Sequence, residues 1–98
     1  MGGYPAPVRR MWSVMIEFRD GQQVVGFDDG DVIDAWRRLH WLGAFGDADE
    51  ARRSFKARIV EHARGAYGAV LIGVDGSTPD GPWLDALSAE GCLTAIRK

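Results

Sequence analysis

The sequence predicts a small α+β domain, a three-stranded antiparallel or mixed sheet (a hairpin plus a C-terminal strand) with three helices packed on one face. Three observations carry this expectation. Residues 11–27 alternate apolar and polar around an Asp-Gly pair, and "CLTAIRK" (92–98) alternates again. Between them the apolar spacing lengthens to three and four residues behind acidic helix caps. A chain of 98 residues has room for one domain and one modest core. Residues 1–10, with two glycines and two prolines and no periodicity, read as a flexible tail, and residues 11–98 as the single domain.

The first strand is "MWSVMIEF" (11–18), with Trp12, Val14, Ile16 and Phe18 on one side and Met11, Met15 and Glu17 on the other. Asp20-Gly21 signals a two-residue hairpin turn. That loop places Ile16 opposite Val25 and Val14 opposite Phe27, both pairs on the inner face. Val24 then shares the outer face with Met11 and Met15. In "DDGD" (28–31) Asp28 caps a helix with Asp31 reaching back, or Asp31 is itself the cap. Val32, Ile33, Trp36, Leu39 and His40 form the inward stripe of this first helix, and "GAFG" (43–46) ends it.

A capping box, Asp47 with Glu50, opens the second helix. Ala51, Phe55, Ile59, His62 and Ala66 face inward; Arg53, Lys56 and Arg64 fall on the solvated side. Residues 65–76, "GAYGAVLIGVDG", fit either a buried strand or the last turns of that helix. The third helix follows, with Thr78 as cap and Pro79 at its first position, or Asp80 as the cap. Trp83, Leu84 and Leu87 make its stripe, and Gly91 is its left-handed stop. The final strand lies beside the first, the helices cover the Trp12/Ile16/Phe18 face, and the face of Met11, Met15 and Val24 is less covered.

Composition narrows the functional classes. The net charge of -2 argues against nucleic acid as the main partner, because phosphate binding needs a concentrated positive face. The single cysteine, Cys92, makes no internal disulfide, so a reducing, cytoplasmic setting is expected. No membrane-spanning run and no secretory leader is expected either. Ten arginines against two lysines fits GC-rich coding.

Motifs for chemistry are sparse. His40, His62 and Cys92 stand on separate elements without metal-ligand spacing, so no metal and no cofactor is expected. None of Ser13, Ser54, Ser77 and Ser88 sits in a nucleophile elbow. Most acids are accounted for by turns and caps, so no catalytic residue is assigned. Gly65-Ala66-Tyr67-Gly68 has the outline of an RNA-binding G-x-x-G loop but carries no basic residue. In "DAWRRLHWL" (34–42), Trp36 points inward, whereas Trp41 points toward Asp34 and Arg37 or folds back under the "GAFG" connection. An exposed Trp41 would form a partner surface with Arg37, Arg38, Arg53 and Lys56, since Trp and Arg are enriched at binding hot spots.

The order of these features resembles a group of small proteins encoded by phages of actinobacteria. Their D-P-x-x-P-D-x-x-F-L-x-x-L-x-x-x-G segment is matched here by Asp75, Pro79, Asp80, Trp83, Leu84, Leu87 and Gly91, with Gly76 in place of the proline and Trp83 in place of the phenylalanine. The likeness spans about residues 11 to 97 and concerns turns, caps and core. It implies helix over roughly 66–72 and a phage origin, and it carries no catalytic residues. The resulting expectation is a non-enzymatic phage protein acting by protein–protein contact in the host cytoplasm, as in host interference or superinfection exclusion. The alternatives are a nucleic-acid binder using the basic face of the second helix (Arg53, Lys56, Arg64 with Arg37, Arg38 and Arg52), or an assembly component that self-associates as a homodimer through the uncovered sheet face.

Overall fold

The computed structural model of the chain describes residues 12–40 and 48–98, apart from the side chains of His40 and Ala48. The elements run β1 (Val14–Phe18), β2 (Gln23–Gly26), α1 (Asp29–His40), α2 (Ala48–Tyr67), α3 (Asp80–Ala89) and β3 (Leu93–Arg97). The strands form one antiparallel sheet in the order β2-β1-β3. The fold is therefore the expected α+β one, with the C-terminal strand beside β1. The expected tail (1–10), the "GAFG" helix end, the Asp47 cap, and the placements of Met11, Trp41 and the His40 ring lie outside the described residues.

The hairpin register differs from the expected one by a residue. Met15 pairs with Val25 and Ile16 with Val24. The loop has three residues, Arg19, Asp20 and Gly21: the Gly21 N–H returns to the Phe18 carbonyl at 3.0 Å, and Gly21 is left-handed at φ 94. This is a type I turn followed by a left-handed glycine. A one-residue shift exchanges the two faces of a strand. Val24 is consequently buried, whereas Val25 is 45% and Phe27 65% exposed.

The caps act as local sequence dictates, with one exception. The Asp31 N–H donates to Asp28 Oδ1 at 2.8 Å, which makes Asp28 the cap of α1. At the end of α3, the Cys92 N–H reaches the Leu87 carbonyl and the Gly91 N–H the Ser88 carbonyl, each at 3.0 Å, with Gly91 at φ 76. That is a Schellman stop. The exception is α3, which neither Thr78 nor Asp80 caps. Pro79 occupies the cap position without a side-chain bond, and the Thr78 hydroxyl accepts the Asp75 N–H instead.

Helix α2 ends at Tyr67, where Gly68 turns left-handed at φ 65. Residues 68–79 are then irregular, which corrects the helix expected to 72. The Arg64 guanidinium holds this connection, donating to the carbonyls of Leu71 and Val74. Gly76 is pressed against α2 so closely that a Cβ would stand 2.3 Å from the Arg53 carbonyl oxygen.

Helices α1 and α3 lie directly against the sheet, and α2 packs against α1. Val14, Ile16, Val24 and Leu93 of the sheet meet Val32, Ile33, Trp36, Phe55, Trp83, Leu84 and Leu87 in one core. The Trp36 ring touches a ring from each neighbouring layer: Phe18 at 4.9 Å, Phe55 at 5.1 Å and Trp83 at 5.9 Å. The inner stripe departs from expectation at three places, since Leu39, His62 and Ala66 are exposed. In α2 the buried line passes instead through Lys56, Val60 and Ala63.

Two glycines make opposite predictions. Gly76→Ala forces a methyl group onto backbone and should cost about 1–3 kcal/mol. Gly65→Ala, in a helix with open space around its Cα, should stabilise by up to about 1 kcal/mol. Urea melts of both variants check the pair of signs; a neutral Gly76→Ala contradicts the packing described.

Candidate functional site

Of the residues expected to form a partner surface, Trp41 lies outside the described residues, and Arg38 and Arg53 are exposed. Arg37 and Lys56 are not on the surface: they are 6% and 3% exposed. Both are drawn inward by carboxylates. Arg37 donates to Asp34 Oδ1 through Nε at 3.3 Å and Nη2 at 3.2 Å. Lys56 Nζ lies 2.8 Å from Asp80 Oδ1 and also donates to the Thr78 carbonyl. Arg52 joins the two halves. Its Nε and Nη2 fork onto Asp34 at 3.2 and 2.7 Å, and its Nη1 donates to Asp80 Oδ2 at 3.0 Å.

This network of three cations and two carboxylates ties α1, α2 and the start of α3 together. Forked arginine–carboxylate pairs fix orientation as well as distance. Burial alone would push the Asp34 carboxyl up, but the hydrogen bonds and charges of Arg52 and Arg37 outweigh it and hold it below the usual carboxylate range. The Asp34 hydrogen bond in turn raises the Arg52 guanidinium. Of the basic patch expected across the first two helices, Arg37, Arg52 and Lys56 are therefore paired with internal carboxylates, Arg38 stays exposed, and Arg53 stands at a shallow polar depression whose lining includes Asp49 and Asp80.

The site that the structure does assemble lies elsewhere. A cleft of about 460 Å³ opens between the hairpin turn, α2 and the α3–β3 junction. Phe18, Trp36, Ile59, Ala63, Leu87 and Leu93 give it an apolar floor. Its rim is a series of contacts: the Arg19 guanidinium lies 4.5 Å from the Tyr67 ring centroid, and Tyr67 meets His62 edge-on at 5.8 Å. Tyr67 is 47% exposed. The Cys92 thiol and Asp20 complete the wall. Burial, with the nearby Glu90 charge, pushes that thiol up against a smaller opposing effect of Arg19. A raised thiol is a poor nucleophile at neutral pH. Among the described residues no three His, Cys, Asp or Glu side chains converge as metal ligands.

None of the cleft residues was singled out as a site from sequence, because its floor comes from five elements far apart in the chain. The one local signal was Tyr67 beside a helix-ending glycine. Comparison with protein families, curated proteins and solved structures found no match. Among the described residues no helix is long and apolar enough to cross a membrane.

The ion network predicts a pH dependence. Removing one partner of a buried pair costs about 3–5 kcal/mol, so Asp34→Asn should destabilise by about 3 kcal/mol at neutral pH. Asp34 titrates lower folded than unfolded (about 3.9), so its contribution is complete above the unfolded value and is lost as pH falls through the depressed folded one. Denaturant melts of wild type and variant should converge as pH falls below the unfolded value and through the depressed folded one. A gap that stays constant from neutral pH through that range contradicts the assignment.

Proposed function

We propose that this is a non-enzymatic binding protein whose cleft accepts an apolar anchor side chain of a partner protein. The observation that supports this reading best is the pairing of an apolar floor with a Tyr67–Arg19 rim. A pocket of this volume is large enough for one or two aromatic side chains. Tyrosine and arginine are among the residues that dominate binding energy when they ring such a pocket. Of the cleft groups capable of chemistry, His62 meets Tyr67 edge-on and the Cys92 thiol is raised. In the setting that the sequence resemblance implies, a phage protein in a host cytoplasm, the partner is a host or phage protein. The nucleic-acid alternative loses support, since Arg37, Arg52 and Lys56 are paired internally.

Selection of a displayed random-peptide library on the protein should enrich sequences with a central Trp, Phe or Leu. Their affinity should fall roughly tenfold or more in Ile59→Trp and Cys92→Leu, substitutions that fill the cleft, while thermal melts remain cooperative. No enrichment, or peptides indifferent to both substitutions, would contradict the proposal.

A further inference from the structure

The described helices all lie on the side of the sheet that carries Val14, Ile16, Val24 and Leu93, so among the described residues the opposite face has no layer of its own. Register fixes what that face displays. Its central row is Val25–Met15–Ile96, with one side chain from each strand. Val25 is 45% and Ile96 36% exposed. On one side lies the row Gln23–Glu17–Thr94. On the other lie Ser13 and Lys98, joined by the Lys98 N–H to the Ser13 carbonyl at 2.8 Å, with Phe27 close by, one residue past the end of β2 and 65% exposed. The Glu17 carboxylate has no ion pair among the described residues, and the Lys98 ammonium rests 4.5 Å from the Trp12 ring centroid.

We propose that this face binds a second copy of the chain, face to face, about a two-fold axis that crosses β1 at Met15 perpendicular to the strands. The reading is independent of the cleft. Three features of the face select a second copy as occupant. The apolar row is self-complementary under that axis, since Val25 meets Val25, Met15 meets Met15 and Ile96 meets Ile96. The axis also reverses the strand direction, which brings the acidic Glu17 end of one copy over the basic Lys98 end of the other. A two-fold axis parallel to the strands would instead set Glu17 against Glu17, so charge chooses between the two packings. Finally, Phe27 of each copy comes to cover the row of the second copy's Gln23, which removes the most exposed aromatic ring of this face from water. Two sheets packed this way make a six-stranded sandwich of the usual aligned kind.

The face is small. Strands about 4.8 Å apart and same-face rows about 6.7 Å apart give an area of roughly 15 by 17 Å. The two faces together then present roughly 500 Å², below the about 1,000 Å² that a stable specific interface clears. The dimer is accordingly concentration-dependent and not obligate.

Sedimentation of the full chain from about 10 μM to about 1 mM should show the mean mass rising from 10.8 kDa toward twice that value. Val25→Lys and Ile96→Lys, both at exposed strand positions, should hold it at the monomer. Glu17→Lys alone should raise the dissociation constant about tenfold, and the double variant Glu17→Lys, Lys98→Glu should restore it. A wild type that stays monomeric at every concentration overturns the proposal. So does a dimer that survives both lysine substitutions, or a double variant no better than the single. The cleft-filling Ile59→Trp should leave the dimer intact, so loss of peptide binding and loss of dimerisation report on separate surfaces.

Discussion

Every layer of this small domain converges on the Trp36 indole. Helix α1 carries it to a point where β1 supplies Phe18, α2 supplies Phe55 and α3 supplies Trp83, at ring separations of 4.9, 5.1 and 5.9 Å. Tilted and edge-on contacts of this kind contribute beyond their buried area. Deleting a buried aromatic ring costs about 3–5 kcal/mol, against a total stability of about 5–15 kcal/mol for a domain. Helix α2 depends on this contact most. It packs on α1 and not on the strands, so Phe55 against Trp36 is a principal means by which it shares the core.

The ion network lies beside that cluster and has a different task. Apolar rings hold α2 against α1 without fixing its rotation. Arg52 gripping Asp34 on one side and Asp80 on the other fixes it, with Lys56 drawn in over the Trp83 ring at 5.7 Å from its centroid. The Trp83 Nε1–H is buried with no acceptor among the described residues, a cost that the surrounding packing offsets. Spending these cations internally keeps Arg37 and Lys56 off the surface. The two surfaces proposed for recognition, the cleft and the uncovered sheet face, are apolar ones.

Much of the fold was legible in the sequence because its signals are local. Alternation gave the strands, Asp28 and Gly91 gave helix ends, and Trp36, Trp83, Leu84 and Leu87 were placed in the core. The hairpin register was misread because Asp-Gly serves two loop lengths, and Val24 and Val25, being identical, cannot say which points inward. Arg37 and Lys56 were assigned to solvent because a helical stripe puts charge outside by default. Arg37 is turned inward by Asp34 one turn before it on the same helix, itself held from across by Arg52, and Lys56 by Asp80 on another helix. Gly76 likewise has a reason visible only when α2 is beside it. The cleft was not legible at all, since Phe18, Trp36, Ile59, Leu87 and Leu93 share no segment.

The central claim is that one indole on α1 joins β1, α2 and α3, and it can be read directly from nuclear Overhauser contacts. In a spectrum of the folded protein, the Trp36 ring protons should show cross-peaks to the rings of Phe18, Phe55 and Trp83 together. A Trp36 indole that contacts only β1, with none to Phe55 or Trp83, would contradict the architecture described.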